Sequence, residues 1–154
     1  MSVNLSYTKE IIIHNKSMLD SFKQWLGHEL IERINLEKDA EILFNVGFAV
    51  VSHGTEKDPI FKYGNKKALE LFEMGFEEFI KMPSRNSAEP MHQKERTQFM
   101  KQVTENGFVS NYEGVRISKN GKRFKIQDAI VWNVIDENKN YCGQAATFGR
   151  WEYI

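Results

Sequence analysis

At Gly107 the chain changes period. Beyond it, residues 108–118, 123–135 and 141–151 alternate apolar with polar side chains, whereas the apolar residues before it recur at steps of three and four. Successive side chains of a strand point to opposite faces, so three such runs joined by short polar links predict an antiparallel meander. The first link, residues 119–122, contains Asn120-Gly121, residue types that tolerate the positive φ of a tight hairpin turn. The second is the polar run 136–140. A meander of this kind has to bury at least one face, and the preceding half of the chain must supply the cover.

That half reads as helices with two short strands among them. In residues 8–34 the stripe Ile11, Met18, Phe22, Trp25 and Leu26 has helical spacing, with Ser17 and Asp20 as a capping pair and Gly27 as a stop, so the region is one helix or two. Residues 36–45 are again helical in pattern. Residues 47–53 (GFAVVSH) predict a strand, 54–59 a turn, and Ile60, Phe61 and Tyr63 a second strand. Asn65 is placed to cap a helix over 66–74 that ends at Gly75. A short helix over 76–82 stops at Pro83, residues 83–90 form a polar loop between two prolines, and 91–106 predict a further helix. The expected architecture is α+β: a five-stranded antiparallel sheet with helices on one face. An N-terminal helical cap over 1–46 and a domain over 47–154 make one folding unit.

With 154 residues, 41% of them hydrophobic, the chain can bury one adequate core. Basic and acidic residues both number 21, so no net field draws a nucleic acid or an anionic membrane, and neither is expected as a partner. Cys142 is the only cysteine, which fits a reducing compartment. Residues 1–10 have no leader pattern and no run reaches the length of a membrane span, so a cytoplasmic protein is expected. His14, His28, His53 and His92 show neither paired spacing nor companion cysteines, so no metal site is expected, and nothing in the sequence names a cofactor.

The order of elements resembles the PAS layout, in which the middle helices close a pocket against one face of the sheet. The segments SHGTEKDPIFKYGNKKALELFE, MPSRNSAEPM, YEGVRISKNGKRFKIQDAIVWNVIDE and GQAATFGRW resemble the MEKHLA domain, a PAS-like family. The resemblance covers most of residues 47–151 and implies a sensory or ligand-binding module rather than an enzyme; it implies no ligand and no catalytic residues. Within the wider class, SRNSAE resembles the flavin-binding motif of light sensors built around Arg-Asn-Cys-Arg. Ser87 stands at the position of the photoreactive cysteine there, and a hydroxyl cannot form the flavin thioether.

Candidate binding residues follow from polar groups set among apolar ones. Arg85, Asn86, Ser87 and Glu89 share the loop that would lie over a pocket mouth, where a guanidinium beside amide and hydroxyl groups suits a carboxylate, a phosphate or a heterocycle edge. The other reading is that Arg85 pairs with Glu89 or bonds loop carbonyls and holds the turn, since loops need internal hydrogen bonds whether or not they bind anything. Gln144 is the polar member of the face Cys142, Gln144, Ala146, Phe148, and is either a ligand contact or bonded to a neighbouring strand. On strand 123–135 the face Phe124, Ile126, Asp128, Ile130, Trp132, Val134 contains a single carboxylate. Asp128 is expected to pair with Arg116 on the adjacent strand or, failing that, to act as a functional acid. Trp132 is expected in the core or beside a ligand, and Cys142 as a small buried hydrophobe.

The leading functional expectation is a module that binds a small molecule, heterocyclic in kind, and signals through helix packing or self-association. One alternative is a small enzyme using Asp128 or His53 as a proton carrier; another is a ligand-free protein–protein interaction domain. Strand 123–135 also has Ala129, Val131 and Ile135 on its second face, and a strand wet on one side should be polar there. The stripe Ile11 to Leu26 is the available cover. A helix-capped monomer and a homodimer joined through these helices are both expected outcomes, the homodimer being preferred.

Overall fold

A computed structural model describes residues 7–154, with the side chains of residues 90–93 left out. Helix α1 (Lys9–Leu26) is one continuous helix, capped by the Thr8 hydroxyl on the Ile11 amide and ended by Gly27 at φ 82°. Ser17, expected at a cap, lies mid-helix and buried. Helix α2 (Leu36–Asn45) starts on the Asn35 side chain, and strands β1 (Ala49–His53) and β2 (Phe61–Gly64) follow. Helix α3 (Lys66–Phe72) is capped by Asn65 as the sequence predicts. It ends on Glu73 in the left-handed conformation rather than at Gly75, the Glu73 amide donating back to the Glu70 and Leu69 carbonyls while its carboxylate accepts from Ser118 and Asn120. Helix α4 (Phe76–Phe79) is a single turn, Ser84–Ser87 forms a 3-10 turn, and helix α5 (Pro90–Asn106) leads into strands β3 (Phe108–Ile117), β4 (Arg123–Ile135), β5 (Tyr141–Phe148) and β6 (Arg150–Tyr153).

The sheet order is β2-β1-β5-β4-β3, all antiparallel, with β6 on β4. The run expected as one strand over 141–151 breaks near Gly149. Its first part pairs with Ile130 to Ile135 of β4, and its second with Phe124 to Gln127. The hairpin between β3 and β4 takes a positive φ at Gly121 alone, not at Asn120.

The main departure from the sequence pattern lies in β4. Gly114 faces Ile126 and Tyr112 faces Ala129, so β4 carries one residue more than β3 over that step. The extra residue is absorbed at Asp128, which sits at φ 53°. A bulge of one residue exchanges the two faces of every position beyond it. Phe124, Ile126 and Ala129 therefore belong to one core layer and Trp132 and Val134 to the other, instead of sharing the single face read from strict alternation.

Each sheet face is covered. Met18, Leu19 and Phe22 of α1 pack on Trp132, Val134, Val50 and Tyr63. Hydrogen bonds fix the helix there: the Trp132 indole donates to the Met18 carbonyl at 3.1 Å, and the Trp25 indole to Asn133 at 2.9 Å. The Ser21 hydroxyl both accepts from and donates to the Ile135 backbone. The N-terminal helix thus docks on the sheet of its own chain, but on Trp132 and Val134. Ala129 and Val131, read from the sequence as the face needing that cover, are turned by the bulge to the opposite side. Of the apolar stripe, Met18 and Phe22 are buried while Ile11, Trp25 and Leu26 are partly buried. On the opposite face α3, α4, the 3-10 turn and α5 enclose Ala49, Phe61, Leu71, Phe72, Phe79, Phe124 and Phe148.

Candidate functional site

The α3–α5 side does not fill completely. Between the sheet, the 3-10 turn and α5 lies a cavity of about 40 Å³. A water needs roughly 10–15 Å³ on this measure, so the space suits a few water molecules or a ligand of a few heavy atoms. Its walls are largely apolar, from Val51, Phe61, Phe72, Ile126, Val131 and Phe148. Set into them are His53, Ser87, Arg96, Tyr112, Arg116 and Gln144. A flavin-sized ring system would require α5 and the turn to move outward.

Three of the residues singled out in the sequence meet in this cavity. The Ser87 hydroxyl donates to the Ser84 carbonyl at 2.7 Å and closes the 3-10 turn. Gln144 Nε2 donates to Met100 O and Thr104 Oγ1 of α5, both at 2.9 Å, while its Oε1 is buried without a partner. Arg116, 7% exposed, donates to Val115 O and to the Tyr112 hydroxyl.

The other five lie elsewhere. Arg85 is exposed and pairs with Asp58 at 3.0 Å rather than with Glu89, and Asn86 is exposed beside it. Glu89 pairs with Arg123. Asp128 does not reach Arg116; the bulge turns it to solvent, where Arg150 meets it at 2.7 Å. Trp132 is fully buried, but the same bulge puts it under α1, remote from the cavity. Cys142 is half-buried rather than fully buried, its thiol near the Asn140 carbonyl. The side chain of His92 lies outside the described residues.

Arg96 and Tyr112 were not singled out in the sequence, and His53 only as a proton carrier. A signal for Arg96 was present: it precedes Phe99 and Met100 by three and four positions, which places it on the same face of α5. Tyr112 and Arg116 share a face of β3 by simple alternation, and the guanidinium bonds the phenol at 3.1 Å. Gly114 lies between them, and a Cβ there would meet the ends of both side chains, the Tyr112 hydroxyl at 2.5 Å and Arg116 Nη1 at 2.9 Å.

The electrostatics of the cavity are unbalanced. Burial, reinforced by Arg116, pushes the Arg96 guanidinium down to about 10, which leaves it charged at neutral pH. Its Nη2 donates to Ser84 Oγ at 2.8 Å, but its Nε is buried with no partner. Burial also lowers His53, and the Arg96 charge adds to the effect. The His53 Nδ1 lies 3.1 Å from the Gly54 carbonyl, and the Gln144 side chain is a second hydrogen-bonding neighbour of the ring.

An antiparallel sheet closed on one face by helices over a small polar-and-apolar cavity defines a PAS-like fold. The chain belongs to the MEKHLA domain family, whose pattern matches residues 12–153 and so takes in most of α1 as well as the sheet. Solved structures agree on the fold. The PAS domain of a protein from Colwellia psychrerythraea is 21% identical, with 77% of this chain and 96% of that one covered and a TM-score of 0.64. A light-oxygen-voltage domain studied with a flavin analogue is 14% identical, covering 75% and 83%, with a TM-score of 0.57. An RNA-binding light-oxygen-voltage receptor is 13% identical, covering 70% of this chain and 30% of that one, with a TM-score of 0.58. No curated protein matches the chain. Among the described residues no helix is long and apolar enough to cross a membrane.

Proposed function

We propose that this protein is a small-molecule sensor in which occupancy of the cavity under α5 is read out through the packing of α5 and α1. The observation that carries the reading is the partly open cavity itself, whose lining includes Arg96 and Gln144, each with a buried polar atom that makes no hydrogen bond among the described residues. Buried polar atoms are nearly always paired, so such atoms at a cavity wall mark the place of a ligand or of ordered water.

The route outward supports the same reading. α5 is tied to the cavity floor by the amides of Gln144 and Asn133, which donate to Met100, Val103 and Thr104. At its end, a Cβ on Gly107 would meet the Trp25 ring of α1 at 2.7 Å, so the last turn of α5 and the outer helix are in direct contact. A ligand that displaces Gln144 from α5 changes that contact. The output is then the α1–α2 layer, and self-association of this layer belongs to the proposal.

The enzyme alternative loses its main support, since Asp128 is exposed and paired with Arg150. The ligand-free interaction domain has the small cavity in its favour, but leaves the unpartnered cavity atoms without a role.

The test is a melting screen of the purified chain against organic acids and neutral heterocycles, followed by hydrogen exchange over residues 94–107 with any hit. A ligand that raises the melting temperature and alters exchange in α5 supports the reading. Absence of any shift across both classes of compound refutes it.

A further inference from the structure

Arg96 and Arg116 both line the cavity, are 9% and 7% exposed, and lie close enough for their charges to repel. Neither has a carboxylate within 4 Å. Of the nearby acids, Asp58 acts on Arg96 only at a distance and pairs with Arg85, Glu89 pairs with Arg123, Glu113 with Lys125 and Asp128 with Arg150, while Glu95, exposed in the adjoining groove, forms no ion pair with either arginine. The residues outside the described set, 1–6 and the side chains of 90–93, include no Asp or Glu, so the chain has no further acid to offer there. An isolated buried cation is among the costliest features a fold can carry, and two in one cavity are more costly still.

On this basis, and resting on the sensory reading above, we propose that the cavity binds a small monocarboxylate with an apolar body, its carboxylate between Arg96 and Arg116. The planar guanidinium presents a fork of donors that matches a carboxylate, and Arg96 Nε is unoccupied. The apolar part of the ligand meets Val51, Phe61, Ile126 and Phe148. The volume limits the ligand to a short chain in this conformation. Entry has a visible route: Arg96, Tyr112 and Arg116 also line an open surface groove of about 270 Å³ beside β3, so these three side chains form the partition between cavity and solvent.

The experiment uses the full chain at constant ionic strength, titrated by calorimetry and by melting with acetate, propionate and butyrate, with propionamide, butyramide and inorganic phosphate in parallel. Expected are saturable binding of propionate or butyrate with a rise in melting temperature, and no rise with the matching amides. Arg96→Met and Arg116→Met should each weaken binding tenfold or more. Their ligand-free melting temperatures should equal or exceed that of the parent, because each removes an unpaired buried charge. Arg96→Gln and Arg116→Gln serve where a methionine variant misfolds. On the unaltered chain, carboxylate binding should raise the His53 pKa followed by NMR, since it neutralises the neighbouring cation.

Equal stabilisation by acid and amide, or binding unchanged in the arginine variants, would overturn the proposal. Stabilisation by phosphate alone would also overturn it. If a neutral heterocycle binds and no carboxylate does, this assignment falls while the sensory reading stands; if neither class binds, both fall.

Discussion

Asn133 on β4 and Gln144 on β5 face each other across the sheet, with Gln144 Nε2 3.2 Å from Asn133 Oδ1, and both amides reach on to the main chain of α5. A helix that covers a cavity cannot be held by a full apolar interface, because the cavity takes the place of part of it. Here the hold passes to directional bonds on one side of the opening, and the helix can pivot about them.

Gln144→Leu should therefore loosen α5 more than it unfolds the protein. Losing the donations to Met100 O and Thr104 Oγ1 costs roughly 1–2 kcal/mol. Hydrogen exchange should accelerate in residues 100–106 and remain unchanged in β4 beneath α1. Uniform acceleration across the sheet would show that the bond serves global stability only.

Asn65 closes a different junction. Its Oδ1 accepts from the amides of Val50 and Ala68 at 3.0 and 3.1 Å, and its Nδ2 donates to the carbonyls of Leu43 and Phe48. One fully buried side chain thus joins α2, β1 and α3. Asn65→Ala leaves these buried groups without partners and should cost about 3 kcal/mol or more. Asn65→Asp keeps the acceptor but loses both donations, and should be destabilised as well. Urea unfolding of the two variants checks this; losses under 1 kcal/mol would contradict it.

Gly143 sits at φ 117°, and a Cβ there would lie 2.0 Å from the His53 carbonyl oxygen. Backbone cannot yield as a flexible side chain can. Gly143→Ala should cost more than about 3 kcal/mol, or prevent folding at 37 °C, measurable by thermal melting or soluble yield.

His14 bonds Ser52 Oγ at 2.7 Å beneath α1, and burial, with Lys62 nearby, lowers its pKa to about 3. Between that value and the unfolded 6.5, the unfolded chain binds the proton and the native one does not, so stability rises with pH. On acidification from pH 6.5 this group should remove up to roughly 1.4 kcal/mol per unit until pH 3. Comparing unfolding free energies of the parent and His14→Gln at pH 7 and pH 5 isolates it. An identical pH dependence in the two would assign the acid sensitivity elsewhere.

Arg85, for which the sequence offers either a recognition role or a role in holding the loop, should behave as a surface group. Its pair with Asp58 is exposed on both sides, so Arg85→Ala should change stability by under about 1 kcal/mol and leave carboxylate affinity within twofold. A tenfold loss of affinity would place it at the site.

The amino-acid order determined by itself what depends on local period. The change of pattern at Gly107, the Asn65 cap, the helical stripe of α1 and the need for cover on both faces of residues 123–135 were legible without coordinates. So was the family, from motifs in sequence. What only the tertiary structure decided hangs on one residue of register. The bulge at Asp128 costs little locally and leaves no mark in composition, yet it exchanges the faces of everything after it. It sends Trp132 to α1 and Asp128 to Arg150. Pairing across space is the other part: Arg96 and Arg116 are twenty residues apart, and nothing local in either segment says that both guanidiniums face one cavity without a carboxylate. An alternating pattern assigns a face only while the register holds, and a charge is unbalanced only relative to its neighbours in three dimensions.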